Sequence, residues 1–158
     1  MSARDGAEVT DTTEFAIDDR ERGYCVTLPK TTPLGQTVSI QTGVRKGAYV
    51  MHAETSDQHE LYFEVTAYPN RRDHAKLAAE QLAFLRDRAP AGRTTVPTAG
   101  SVGRLNGLTF DFSGVLQGRF KERRFLFVDT QARTYRLVFD PTSALNECVL
   151  DRLAFYDP

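Results

Sequence analysis

Residues 61–90 read LYFEVTAYPNRRDHAKLAAEQLAFLRDRAP, and a change of period inside this stretch decides the fold class. Leu61, Phe63, Val65 and Ala67 alternate with Tyr62, Glu64, Thr66 and Tyr68. A period of two places the first set on the buried face of a strand and the second on a face left wet. Pro69 and Asn70 end the run. From His74 to Arg88 the apolar residues recur instead as Ala78, Leu82, Leu85 and Ala89, with Leu77 and Phe84 widening the stripe, which predicts a helix lying against the sheet. Asp73 is placed to accept from an unpaired amide of the first turn, and Pro90 with Gly92 supplies the stop.

Working outward, residues 1–22 are polar and acid-rich, with too little apolar area to offset ordering entropy, and read as a flexible tail before a single domain over 23–158. Tyr24, Val26 and Leu28, then Val38 and Ile40, then Tyr49, Met51 and Ala53 around outward Val50 and His52, suggest three short strands. After the helix, residues 89–107 hold Pro97, Gly100, Gly103 and Gly107 and read as an irregular connector. Leu108, Phe110, Phe112, Gly114 and Leu116 form the next strand face, RFKERRFLFV its hairpin partner, and Tyr135, Leu137 and Phe139 a further strand. Asp140 and Pro141 suit the start of a terminal helix with Leu145, Cys148 and Val149 on its apolar side. Periodicity gives both helices a buried face and leaves open whether they cover opposite faces of the sheet or lie side by side.

This order of elements, carried by GYCVTLP, LYFEVTAYPNRRDHAKLAAEQLAFL, GLTFDFSGVLQGRFKERRFLFV, TYRLVFD and PTSALNECVLDRLAFYD, resembles the Mog1/PsbP-like α/β/α sandwich family over residues 23–157, the small bacterial DcrB-like proteins in particular. The resemblance implies a three-layer α/β/α sandwich with a mainly antiparallel central sheet, and a role in binding, assembly or chaperone-like work. It assigns no site residue.

Composition narrows the function classes. Twenty Lys and Arg face 21 Asp and Glu for a net charge of -1, so the average field does not favour nucleic acid or acidic lipid. No apolar run approaches the roughly 20 residues a spanning helix needs, and the opening segment has no secretory pattern, which favours the cytoplasm. Cys25 and Cys148 lie in separate apolar segments and read as buried thiols, with a long-range disulfide as the alternative.

No motif calls for a cofactor or a metal. His52, His59 and His74 lack metal-ligand spacing. Asp57, Glu60, Glu64 and Asp73 offer carboxylates without a visible pairing, and Cys148 sits among Leu145, Val149 and Leu150, where packing outweighs a nucleophilic role. VGRLNG lacks the pattern of a phosphate loop. The strongest interaction signal is the basic hairpin strand, where Arg119, Lys121, Arg123 and Arg124 form a candidate protein-binding surface for an acidic partner. The alternation sends Phe125 and Phe127 inward, which disfavours base stacking and hence nucleic acid. The reading is therefore a noncatalytic binding or assembly protein. Its alternative is a small-molecule binding protein or weakly signed hydrolase with a pocket near the glycine-rich connector, and self-association through a sheet edge is a further expectation.

Overall fold

The computed structural model of the protein describes residues 13–156. In chain order these form β1 (Glu14–Asp19), β2 (Tyr24–Pro29), β3 (Ser39–Arg45), β4 (Ala48–Glu54), β5 (Tyr62–Ala67), α1 (His74–Arg88), β6 (Arg93–Thr94), β7 (Thr98–Val102), β8 (Leu105–Leu116), β9 (Arg119–Asp129), β10 (Thr134–Phe139), α2 (Ala144–Asp151) and β11 (Ala154–Phe155). The large sheet has the order β3-β4-β5-β10-β9-β8-β6, with β7 also on β8, and β1-β2-β11 form a small second sheet. Every named strand pair is antiparallel.

The two helices lie on opposite faces, which gives the three-layer sandwich. On one face Ala78, Leu82, Leu85 and Ala89 pack on Phe110, Phe112, Phe125, Phe127 and Val138. On the other, Met51, Phe63, Val65, Leu126, Val128 and Leu137 meet Tyr24, Val26 and Leu28 of the small sheet and Val149 of α2. The helix predicted over 74–88 forms with Asp73 as its cap, the carboxylate accepting from Lys76 N at 3.3 Å. Phe84, expected to widen the buried stripe, is half exposed, because α1 needs only its Ala78/Leu82/Leu85 face to cover β8 and β9.

Several expectations are corrected. Residues 14–19 are not tail: β1 pairs along β2 from Glu14↔Pro29 to Asp19↔Tyr24, and Phe15 and Ile17 pack on the core. The acid-rich composition masked that two-residue alternation; residues 1–12 of the expected tail lie outside the described residues. The connector contains β6 and β7, both paired to β8. Gly100 is suited to this close ladder, since a Cβ there would stand 2.7 Å from Thr109 Cγ2. The terminal helix begins at Ala144 rather than at Pro141, because Asp140 turns its carboxylate to Thr142 N (2.9 Å) and Thr142 Oγ1 (2.6 Å), closing a turn before the helix. Cys25 is half-buried, Cys148 is exposed, and both are free; inward positions of α2 go to Asn146 and Val149. Val50 is buried rather than outward. So are Glu64 and Thr66, which were expected on a wet face.

Candidate functional site

That supposedly wet face carries a polar network. The side chains of His52 and Glu54 on β4, Tyr62, Glu64 and Thr66 on β5, and Arg136 on β10 share the α1 side of the sheet, as the registers His52↔Glu64 and Arg136↔Thr66 require. Glu64, 5% exposed, accepts from Arg136 Nη2 at 2.8 Å, and Arg136 Nη1 donates to Gln81 of α1 at 2.6 Å. His52 Nε2 bonds Glu54 at 2.7 Å, while its Nδ1 stands 3.4 Å from Glu64 and acts on it through charge. Burial by itself would raise the Glu64 carboxyl, but His52, Arg136 and Arg45 outweigh it and hold the group below the usual range. Burial likewise pushes the His52 imidazole down, and Glu64 and Glu54 more than reverse this.

The sign of that second shift makes a prediction. Because the folded imidazole holds its proton above its ordinary value of 6.5, its stabilising contribution is complete below that value and fades as pH rises through the folded value. Thermal unfolding followed between about pH 5 and 8 should show the wild type losing stability with rising pH relative to His52→Gln. Parallel profiles would mean that His52 holds no such proton.

Arg123 extends the network. It is 3% exposed, its guanidinium stands 3.7 Å from the Tyr62 ring centre and 3.9 Å from the buried Asp140 carboxylate, and Nη2 donates to Gln58 Oε1 at 3.1 Å. Gln58 in turn donates to Glu54. Each ionised group of the network thus faces another, an arrangement that fixes the loop over 55–61 and the end of β10. Among the described residues, no three His, Cys, Asp or Glu side chains converge as metal ligands would.

The four basic residues read from the hairpin strand are accordingly not one surface. Alternation places Arg119, Lys121 and Arg123 on the α1 side with Phe125 and Phe127, and Arg124 on the other side with Leu126 and Val128. Arg123 is withdrawn from solvent by Tyr62 and Asp140. Arg124 forks onto Asp111 at 2.8 and 3.0 Å, which neutralises it locally. Lys121 is half-buried, and Arg119 is exposed with Nη1 donating to Ser56 O at 3.2 Å.

Two surface grooves flank this hairpin. One, about 450 Å³, lies beside the connector, with Thr95, Thr98, Ser101, Leu150 and the Asp111–Arg124 pair in its lining. The other, about 540 Å³, is formed where α1 ends, by Arg88, residues 89–93 and the hairpin residues Ser113, Gly114, Val115 and Phe120. Val115 and Phe120 are cross-strand partners next to the Gln117–Gly118 turn, where both turn residues have positive φ. They are 55% and 56% exposed. Arg88 and Arg93 supply the charge of this second groove, and no carboxylate is in its lining. Arg88 stands 4.8 Å from the Phe84 ring centre and approaches the carboxylate of its chain neighbour Asp87 at 3.9 Å with both side chains mostly exposed, an ion pair of little energetic weight. The sequence signal for this groove was the VLQGRF turn, where alternation sets Val115 apart from the Phe110, Phe112 and Leu116 face that packs on the core.

No protein-family model matches the chain, and no curated protein does. Among solved structures the chain is similar to cyanobacterial PsbP (CyanoP) from Synechocystis sp. PCC 6803, at 9% identity and a TM-score of 0.60, over 91% of this chain and 93% of that one. A likeness at that identity concerns the fold alone, and it shows that the two chains share a three-layer arrangement. A protein of unknown function, PA94 from Pseudomonas aeruginosa, is similar at 13% identity with a TM-score of 0.39 over 81% and 83% of the two chains; at that score it carries no argument. Among the described residues no helix is long and apolar enough to cross a membrane.

Proposed function

We propose that this chain is a noncatalytic binding or assembly protein that holds an acidic segment of another protein against the tip of the β8–β9 hairpin. The observation that carries the reading is the second groove: an exposed apolar pair, Val115 and Phe120, edged by Arg88 and Arg93 with no carboxylate in the lining. Solvent-exposed aromatic and arginine side chains in one concavity are the groups from which interface hot spots are built. Arg119 and Lys121 add positive potential from the other side of the same hairpin and steer an acidic partner toward it. The network around Glu64, which reaches β9 through Arg123, serves this role by holding the sheet and the loop over 55–61, not by chemistry of its own. A DcrB-like relationship and residence in the cytoplasm belong to the same proposal; the two free thiols support the latter.

Short peptides that combine Asp or Glu with one Phe or Leu provide the test. They are expected to shift the amide resonances of Gly92, Gly114, Val115 and Phe120, and the pair Arg93→Glu with Phe120→Ala should weaken them by about tenfold or more, the scale of losing one hot spot. The double change Asp111→Asn with Arg124→Gln, which removes a neutralised pair without altering net charge, should leave affinity unchanged. Equal binding of charge-swapped basic peptides, or resonance shifts confined to the groove beside the connector, would sink the proposal and favour the small-molecule reading.

A further inference from the structure

The two edges of the large sheet are treated differently. Along β8 the edge is closed by β6, two residues long, and β7, five residues long, with Pro97 between them. Short strands and a proline are devices that prevent further pairing. At the opposite edge stands β3, seven residues with the sequence SIQTGVR. Nothing among the described residues pairs with its outer side, and a Cβ added at Gly43 would meet nothing within 4 Å. Six of the seven residues are uncharged, none is proline, and Val44 is 69% exposed. Among the described residues this edge has neither a covering element nor a proline, and its one charge, Arg45, stands at the strand end.

We infer that β3 is a pairing edge for a second copy of the same chain, joined antiparallel about a two-fold axis through Thr42 to make one continuous sheet. The strand is suited to itself. In an antiparallel ladder every second residue turns both its N–H and C=O outward, so a symmetric pair must join residues of equal parity. The register centred on Thr42 meets this and uses all seven residues, with Ile40 opposite Val44 and Ser39 opposite Arg45. Ile40, Thr42 and Val44 lie on the face of Met51 and Ala53, as the β3–β4 register requires. The exposed Val44 would therefore gain an apolar neighbour beside the existing core, and Ile40, already packed on that core, would be sealed further. No like charges meet, since Arg45 faces a serine. The interface is isologous, so it closes at two copies. It is separate from the groove of the proposed function and stands or falls without it.

Light scattering on the full chain across concentration tests the inference. The wild type is expected to pass from monomer to dimer mass as concentration rises. Thr42 is exposed, so Thr42→Lys and Thr42→Glu should each fold, as circular dichroism can check, yet stay monomeric because like charges meet on the axis. An equimolar mixture of the two variants should recover the dimer, since ammonium then faces carboxylate. A wild type that remains monomeric at every concentration would overturn the inference, including the case in which slow amide exchange shows β3 covered by the chain's own residues 1–12. Dimers of either variant alone, or a mixture that stays monomeric, would overturn it equally.

Discussion

Replacing Glu64 with alanine is expected to destabilise the protein by about 3–5 kcal/mol, the range for breaking a buried ion pair from one side. The cost is not the lost attraction itself. It arises because Arg136 and His52 remain on a covered face with their shared anion gone, and His52 Nδ1 and Arg136 Nε are already buried without hydrogen-bond partners. Glu64→Gln should fall short of that loss, since its amide oxygen can still accept from Arg136 while no longer balancing the charge. The pair Glu64→Leu with Arg136→Met should cost less than Glu64→Ala alone, because removing both partners leaves no buried guanidinium without its anion and His52 keeps its bond to Glu54. Urea unfolding of the four proteins gives the comparison. A loss below about 1 kcal/mol for Glu64→Ala, the scale of exposed pairs, would show that the face is hydrated and the network weak.

This network is also where the sequence was hardest to read. Alternation in LYFEVTAY correctly assigns Leu61, Phe63 and Val65 to a core, but it says only that Glu64 and Thr66 lie on the other face, not what covers it. The cover comes from distant parts of the chain: Arg136, Gln81 and Arg123, the last reaching Tyr62. Charge patterning along one strand cannot display such partners. The helix over 74–88 was legible because its stripe and its stops are local, and so were β8 and β9. The splitting of Arg123 from Arg124 follows from period two alone, since adjacent strand residues point to opposite faces. Their neutralisation by Asp140 and Asp111 was hidden, each acid coming from another segment. β6 and β7 were missed because glycine and proline obscure alternation, and β1 because its two inward apolar residues, Phe15 and Ile17, are set among acids.

The hairpin that presents Val115 and Phe120 is rooted at Gly107, and Gly107→Ala is expected to be the most damaging single-methyl substitution in it. In the β8–β9 ladder Gly107 pairs with Val128. A Cβ there would fall 1.7 Å from Phe127 O, 2.7 Å from Phe127 C and 3.0 Å from Val128 Cα. These are backbone atoms of the neighbouring strand and have no rotamer by which to withdraw. The strands must separate, on a stretch where Phe127 and Val128 are both core, so the expected loss is about 3 kcal/mol or more, at the upper end for overpacking. Gly43→Ala supplies the comparison. It adds the same methyl to open space and lowers unfolded-chain entropy, so at concentrations where the protein is monomeric it should be neutral or stabilising within about 1 kcal/mol. The contrast separates close approach from any general cost of losing a glycine. It also reaches function, because a β8 displaced at its root shifts Ser113, Gly114 and Val115, with the paired Arg93, relative to Arg88. Gly107→Ala should then weaken acidic-peptide binding even in the fraction that stays folded, whereas unchanged stability and binding would mean that the ladder does not close at Gly107.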